Sequence, residues 1–328
     1  MSTASITSVV PRRLLGGTGL YVSIVGLGGV EIGEQQAPVR AVDRLLGMAL
    51  DSGVNVIDTA ECYFNSEEMI GRVLRGNRKD WLLFTKCGHN DPYRPRSLFV
   101  RAGRKLWRGI ARTIGRRHPD WDPRLLACSI DRSLHRLKTD WIDLMQLHSC
   151  SKELLERGEM IEVLQRARDA GKVRYIGYSG DGEAALFALQ CGHFDTLQIS
   201  ISIADQQAVA LTVPQAQQRG MGVIAKRPIA NAVWTNEQRP ENSYHHAYWD
   251  RLQELRYGFL RTPCSFGTAL RFTLTVPGVH TAIPGTANPN HFRQNIQQAG
   301  LGPLEEEQYR TIRTRWHAVA SPDWVGQP

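Results

Sequence analysis

Four residues of this 328-residue chain have types and spacing that could do chemistry together: Asp58, Tyr63, Lys86 and His148. Asp58, Lys86 and His148 each end a short apolar run, and Tyr63 follows Asp58 by five residues. A phenol with a pKa of about 10 is a poor acid at neutral pH. A nearby ammonium stabilises the phenolate and lowers that pKa. A carboxylate beside the lysine holds it in place and balances its charge. An imidazole beside the phenol can orient a carbonyl oxygen or share the proton. The set suits protonation of an oxygen as a hydride arrives on its carbon. No side chain supplies a hydride, so a cofactor must.

The elements that must position these groups alternate. Candidate strands are Ile24–Gly28, Asn55–Asp58, Trp81–Lys86, Ile142–His148, Arg174–Ser179, Thr196–Ser200, Gly222–Arg227 and Val279–Ile283. Between them lie segments of helical period. Val42, Leu45, Leu46 and Ala49 repeat at i, i+3, i+4, i+7. Further helices are expected from Ser66, around Leu125–Leu137, over Leu154–Ala170 as one helix, and over Gly182–Gln190, Val213–Arg219, Phe266–Leu274 and Asn290–Gln298. Eight strands alternating with eight helices predict an α/β fold of one domain over 1–328, a (β/α)8 TIM barrel. Catalytic groups of such barrels sit at the C-terminal strand ends, where Asp58, Lys86 and His148 fall. An open doubly wound sheet is the alternative, but Gly26-Leu27-Gly28-Gly29-Val30-Glu31 lacks the third glycine of a dinucleotide loop. Arg12–Leu15 and Leu20–Ser23 read as an N-terminal β-hairpin that could plug the barrel. Residues 88–122 and 231–262 are extra loops or helices at the mouth, and a helix over Glu305–Val319 follows the eighth unit.

Hydrophobic residues make up 42% of the chain and charged residues 22%, which excludes a mostly disordered chain. The net charge is +8. Nine basic residues and no acid fall within 94–118, leaving 31 basic against 32 acidic residues elsewhere. The body of the protein is therefore not expected to bind nucleic acid. Six cysteines occur without a C-x-x-C pair, and no H-E-x-x-H is present, so no metal site is expected. No apolar stretch reaches the roughly 20 residues of a membrane span. The N-terminus lacks a basic region followed by an apolar core, so a cytoplasmic chain is expected, as a monomer or weak homo-oligomer.

Together these features resemble the aldo-keto reductase family. The residues carrying the resemblance are RRLLGGTGLYVSIVGLGG (12–29), DSGVNVIDTAECYFNSEEMIG (51–71), FTKCG (84–88), SLHRLKTDWIDLMQLH (133–148), GKVRYIGYSG (171–180) and IPGTANPNHFRQN (283–295). The resemblance implies a catalytic tetrad of Asp58, Tyr63, Lys86 and His148, with Tyr63 as proton donor. It also implies NADPH over the barrel mouth, reducing an aldehyde or ketone or running the reverse reaction, with use of NADH left open. Ser179 matches the serine of the family's nicotinamide-binding Ser-Asn pair, while Gly180 replaces the asparagine and leaves Asp181 as a substitute. Gln198 matches the amide-binding glutamine. Where the family stacks an aromatic on the nicotinamide stand Lys226 and Arg227, so a basic side chain must cover the ring or lie aside. Gly285 and Thr286 match a phosphate-contacting pair, Asn295 an adenine contact, and His291 stands where many members carry arginine for the 2′-phosphate.

Two other functions compete. Gly177-Tyr178-Ser179-Gly180-Asp181 nearly reads as a hydrolase nucleophile elbow, but Asp181 replaces its last glycine. A nicotinamide-nucleotide-binding, redox-sensing barrel subunit with little turnover would keep the same tetrad. Within the basic insert, Phe99, Leu106, Ile110 and Ile114 follow helical spacing, with Arg101, Arg104, Lys105, Arg108 and Arg112 on the remaining surface. Such a helix either packs on the barrel with a solvated charged face or stands beside the mouth as a funnel that steers an anionic substrate or cofactor.

Overall fold

The computed structural model describes residues 10–89 and 121–327. The chain opens with a hairpin of β1 (Arg12–Leu14) and β2 (Tyr21–Ser23), antiparallel with Arg12 opposite Ser23. Eight parallel strands follow: β3 (Leu27–Gly28), β4 (Val56–Asp58), β5 (Leu82–Cys87), β6 (Ile142–His148), β7 (Val173–Ser179), β8 (Thr196–Ser200), β9 (Gly222–Lys226) and β10 (Thr281–Ile283). Each pairs with its sequence neighbour. Parallel bridges Val25–Ala282 and Gly28–Gly285 join the first barrel strand to the last, giving the (β/α)8 barrel. The first strand is shorter than Ile24–Gly28, since residues before Leu27 contribute only an isolated bridge.

Helices cover the outside because their apolar stripes need a partner. In the helix Val39–Asp51 the buried residues are Val42, Leu45, Leu46 and Ala49, the stripe read from the sequence. The helix Pro123–Leu137 starts on Asp122, whose carboxylate accepts from the amides of Arg124 (2.7 Å) and Leu125 (3.2 Å). The single helix expected over Leu154–Ala170 is two, Lys152–Glu156 and Glu159–Asp169. Gly158 parts them at φ 77°, a left-handed conformation that no helix interior accommodates. The region 231–262 holds the helix His246–Leu255 and short 3₁₀ turns, and the helix Glu306–Val319 follows the barrel.

The hairpin closes the N-terminal end of the barrel. Its tip puts Gly16 so close to β9 that an added Cβ would lie 2.4 Å from the amide nitrogen of Gly222. Leu15, Leu20 and Val22 pack there with Val56, Phe84, Leu144, Ile224 and Ile283 inside the barrel. Among strand ends at that side, buried Asp143 accepts from Arg78 (2.8 Å), Arg174 (2.8 Å) and the amide of Leu83 (3.0 Å), tying β5, β6 and β7 together. With one end plugged, polar side chains converge at the other.

Candidate active site

Asp58 ends β4 and is 2% exposed. Its Oδ2 accepts from Lys86 Nζ of β5 at 2.5 Å. Its Oδ1 accepts from Gln198 Nε2 (3.0 Å) and Gln146 Nε2 (3.4 Å). Lys86, also 2% exposed, donates a second bond to the carbonyl of Thr59 at 2.9 Å. The buried ammonium is thus paired and bonded, the condition under which burial of a charge is tolerated.

The turn after β4 brings Tyr63 over this pair. Its ring centre lies 5.0 Å from Lys86 Nζ. The turn is pinned by the Ser66 hydroxyl, which donates to the carbonyl of Gly29 (2.7 Å) and accepts from the Thr59 hydroxyl (2.9 Å). Gly33 allows the segment to come this near, because an added Cβ would lie 2.1 Å from the carbonyl oxygen of Tyr63. Burial pushes the Tyr63 phenol well above its ordinary pKa, reinforced by the Asp58 carboxylate, with Arg227 opposing. The sequence expectation of a lowered pKa fails for the resting site, since desolvation outweighs the surrounding cations. Tyr63 therefore rests as the protonated phenol.

His148 ends β6, its ring edge-on to Tyr63 at 6.0 Å between centres and 5.3 Å from the ring of His89. Burial holds the imidazole well below its ordinary pKa, followed by the charges of Lys86, His89, Lys226 and Arg227. It is a neutral ring in a cationic surrounding. Cys62 Sγ lies 3.5 Å from its Nδ1. The structure thus brings Asp58, Lys86, Tyr63 and His148 into one cluster.

Next to this cluster, Ser179 ends β7 and Gln198 lies in β8, both buried. The Ser179 hydroxyl and the Gln198 amide oxygen have no hydrogen-bond partner among the described residues. Buried polar atoms left so are rare and call for a ligand or water. Asp181, the candidate replacement for the family's asparagine, is engaged elsewhere. Its carboxylate accepts from the amide (2.7 Å) and hydroxyl (3.0 Å) of Ser200 and pairs with Lys226 Nζ at 2.8 Å. Lys226 is thereby held aside. Arg227 donates from Nε to the Tyr244 hydroxyl (2.7 Å) and from Nη1 to the Ser200 hydroxyl (2.9 Å) and the Gln327 carbonyl (2.7 Å).

Gly285 and Thr286 follow β10 at the same end of the barrel. Gly285 approaches Gly28 so closely that a Cβ on Gly28 would lie 3.0 Å from its Cα. His291, exposed, and Asn295, half-buried, are on the helix Pro289–Gly300. Neither touches the four-residue cluster through a hydrogen bond or ring contact among the described residues. Sequence reasoning passed over Gln146, His89, Cys62 and Glu31. Gln146 was recoverable, since it stands two residues before His148 and shares its face of the strand. Glu31 packs its carboxylate against Gly285, and burial pushes its pKa up to about 7. The basic insert, with Arg101, Arg104, Lys105 and Arg108, falls almost entirely outside the described residues. No group of three or more potential metal ligands occurs among the described residues, and no helix there is long and apolar enough to cross a membrane.

Comparison with known proteins gives this geometry a family. The profile of the aldo/keto reductase family matches residues 24–316, and the chain belongs to that family. It is 26% identical over 318 residues to the uncharacterized oxidoreductase YqkF of Bacillus subtilis, covering 92% of this chain and 95% of that one. It is 29% identical over 247 residues to the L-galactose dehydrogenase of Arabidopsis thaliana, 71% of this chain and 69% of that protein. Among solved structures, the holo form of aldo-keto reductase AKR11C1 from Bacillus halodurans superposes with a TM-score of 0.77 at 26% identity, covering 96% and 99% of the two chains. An aldo-keto reductase from Klebsiella pneumoniae, solved in complex with NADPH, shares the fold at 23% identity and a TM-score of 0.66, covering 96% and 97%.

Proposed function

We propose that this aldo/keto reductase reduces an aldehyde or ketone to an alcohol with NADPH, Tyr63 being the proton donor. The observation that carries the reading is the convergence of four groups: the 2.5 Å bond from Lys86 to Asp58, the Tyr63 ring 5.0 Å from that ammonium, and the neutral His148 ring beside it. When bound, NADPH supplies the hydride. The residues fit such a group. The unpartnered Ser179 hydroxyl and Gln198 amide oxygen would take the carboxamide, one as donor or acceptor and the other as acceptor. Gly285, Thr286, His291 and Asn295 would hold the phosphates and adenine, with Arg227 supplying positive charge near the anion while Lys226 stays paired with Asp181.

The protein's own part is proton management. Tyr63, kept protonated by its buried setting, gives its hydroxyl proton to the oxygen that gains charge. Lys86 stabilises the phenolate left behind, and Asp58 fixes the ammonium. His148 orients the carbonyl oxygen by a hydrogen bond. In the reverse direction the phenolate takes the alcohol proton. A catalytic reading is favoured over a redox-sensing subunit, which would keep the same four residues, because the similar proteins carry enzyme names, an oxidoreductase and an L-galactose dehydrogenase among them. The test is NADPH oxidation over a panel of aldehydes and ketones, with Tyr63→Phe alongside. Loss of the hydroxyl should cost about 10²–10⁴ in rate while the cofactor still binds. Turnover in Tyr63→Phe equal to wild type overturns the assignment.

A further inference from the structure

Cys62 stands between Asp58 and Tyr63 in the turn that carries the phenol, and its Sγ lies 3.5 Å from Nδ1 of His148. A sulfur at this distance is within reach of a hydrogen bond to the ring. It is the only hydrogen bond that either ring nitrogen of His148 makes among the described residues; His89 and Tyr63 meet the ring through its faces and edges. A neutral imidazole carries one N–H and one bare nitrogen, and the partner of one nitrogen decides which is which.

We propose that Cys62 is a positioning residue whose thiol donates to His148 Nδ1 and so fixes the tautomer with its proton on Nε2. The inference rests on the role given to His148 above. The protonation of both partners supports it. Burial pushes the Cys62 thiol up to about 12, with Lys86 opposing, so the sulfur keeps its proton at neutral pH. The imidazole stays neutral in the field of Lys86, His89, Lys226 and Arg227. The contact therefore joins two neutral groups and is no thiolate–imidazolium nucleophile pair. In the reverse arrangement, Nδ1–H would donate to sulfur, a weak acceptor. Nε2 would then offer a lone pair to a carbonyl oxygen, setting two acceptors against each other. With the thiol as donor, Nε2 presents an N–H to that oxygen, and the ring needs no charge to do so.

The test is nitrogen NMR of the full chain with ¹⁵N-labelled histidine, the His148 signals assigned by their loss in His148→Gln. A pyridine-type Nδ1 and a pyrrole-type Nε2 are expected in the wild type. Cys62→Ala should admit the other tautomer and lower kcat by about two- to tenfold, the worth of one hydrogen bond, with the Kd for NADPH unchanged. Cys62→Ser, which keeps a donor, should restore both signals and kcat. A pyrrole-type Nδ1 in the wild type overturns the proposal, as does Cys62→Ala with unchanged tautomer and kcat. The tautomer is read without turnover. A protein that oxidises no NADPH with any carbonyl thus refutes the proposed function, while a wrong tautomer in an active enzyme refutes only the role of Cys62.

Discussion

Lys86→Met removes one charge and nearly preserves the length of the side chain. Its consequence for rate follows from the distance to Tyr63, 5.0 Å from Nζ to the ring centre. Two unit charges about 5 Å apart attract by about 3 kcal/mol at an effective dielectric of about 20. With the ring centre standing for the seat of the charge, that is the scale of the hold of the ammonium on a phenolate forming as Tyr63 releases its proton. The Asp58 carboxylate, bonded to the same ammonium at 2.5 Å, repels that phenolate and cancels part of the gain. A net of about 1–3 kcal/mol corresponds to about a five- to 150-fold loss of kcat. Stability suffers separately. Asp58 would keep only the amides of Gln198 and Gln146, and a buried charge stripped of its partner costs about 3–5 kcal/mol. The double variant Asp58→Asn/Lys86→Met tells the two effects apart, because a neutral amide needs no ammonium. Steady-state NADPH oxidation and urea denaturation are measured for both variants. Stability should largely return in the double variant and turnover should not. Turnover recovering with stability would mean that Lys86 acts only as scaffolding. A single variant within about twofold of wild type would refute the electrostatic argument outright.

Three further outcomes follow from buried charge and from the surface proposed to face the cofactor. Asp143→Ala should destabilise the fold by about 3–5 kcal/mol in urea, since it leaves the buried amide of Leu83 without its acceptor and takes the carboxylate from Arg78, which keeps the carbonyls of Trp81 and Trp141; a loss under about 1 kcal/mol, the range of a surface pair, counts against a buried network. Glu31 has its pKa raised by burial to about 7, so the folded state binds a proton that the unfolded state has released between about pH 4.5 and 7, and stability falls as pH rises through that window. Glu31→Gln should accordingly match wild type near about pH 4.5 and exceed it by up to about 3 kcal/mol above pH 7, with a pH-independent difference refuting the assignment. His291→Arg supplies the fork that a 2′-phosphate accepts, and it should tighten NADPH by about tenfold while leaving NADH unchanged in calorimetric titration; parallel gains for both cofactors would place residue 291 away from that phosphate.

Strand ends were legible because a barrel strand is a short apolar run that stops where its polar terminal residue meets the mouth. Ile142–His148 and Thr196–Ser200 were read at their observed bounds for that reason. The break at Gly158 was hidden, since the apolar spacing runs on across it and a single glycine inside a helical pattern is usually tolerated. Partners in the mouth were hidden for a different reason. Asp181 and Lys226 are far apart in sequence and meet at 2.8 Å only because the ends of β7 and β9 flank β8. No local pattern records that meeting, nor the desolvation that raises the Tyr63 pKa.

Register explains how distant polar residues became one belt. Across the parallel ladders Lys86 is opposite Gln146, Gln146 is opposite Gly177, His148 is opposite Ser179, and Ser179 is opposite Gln198. Residues opposite one another in neighbouring parallel strands share a face, so Lys86 and Gln146 stand in one layer and His148, Ser179 and Gln198 in the next. Gly177 completes the first layer without a side chain. A Cβ there would lie 2.3 Å from the Thr196 hydroxyl and 3.1 Å from Gln146 Cγ, so a larger residue would displace the very amide that reaches Asp58. The tetrad is therefore carried by the pleat of five adjoining strands as much as by its own four side chains. Of the residues that a sequence reading passes over, the glutamine adds a second bond to the Asp58 oxygen that Gln198 already reaches, and the glycine leaves the room for it.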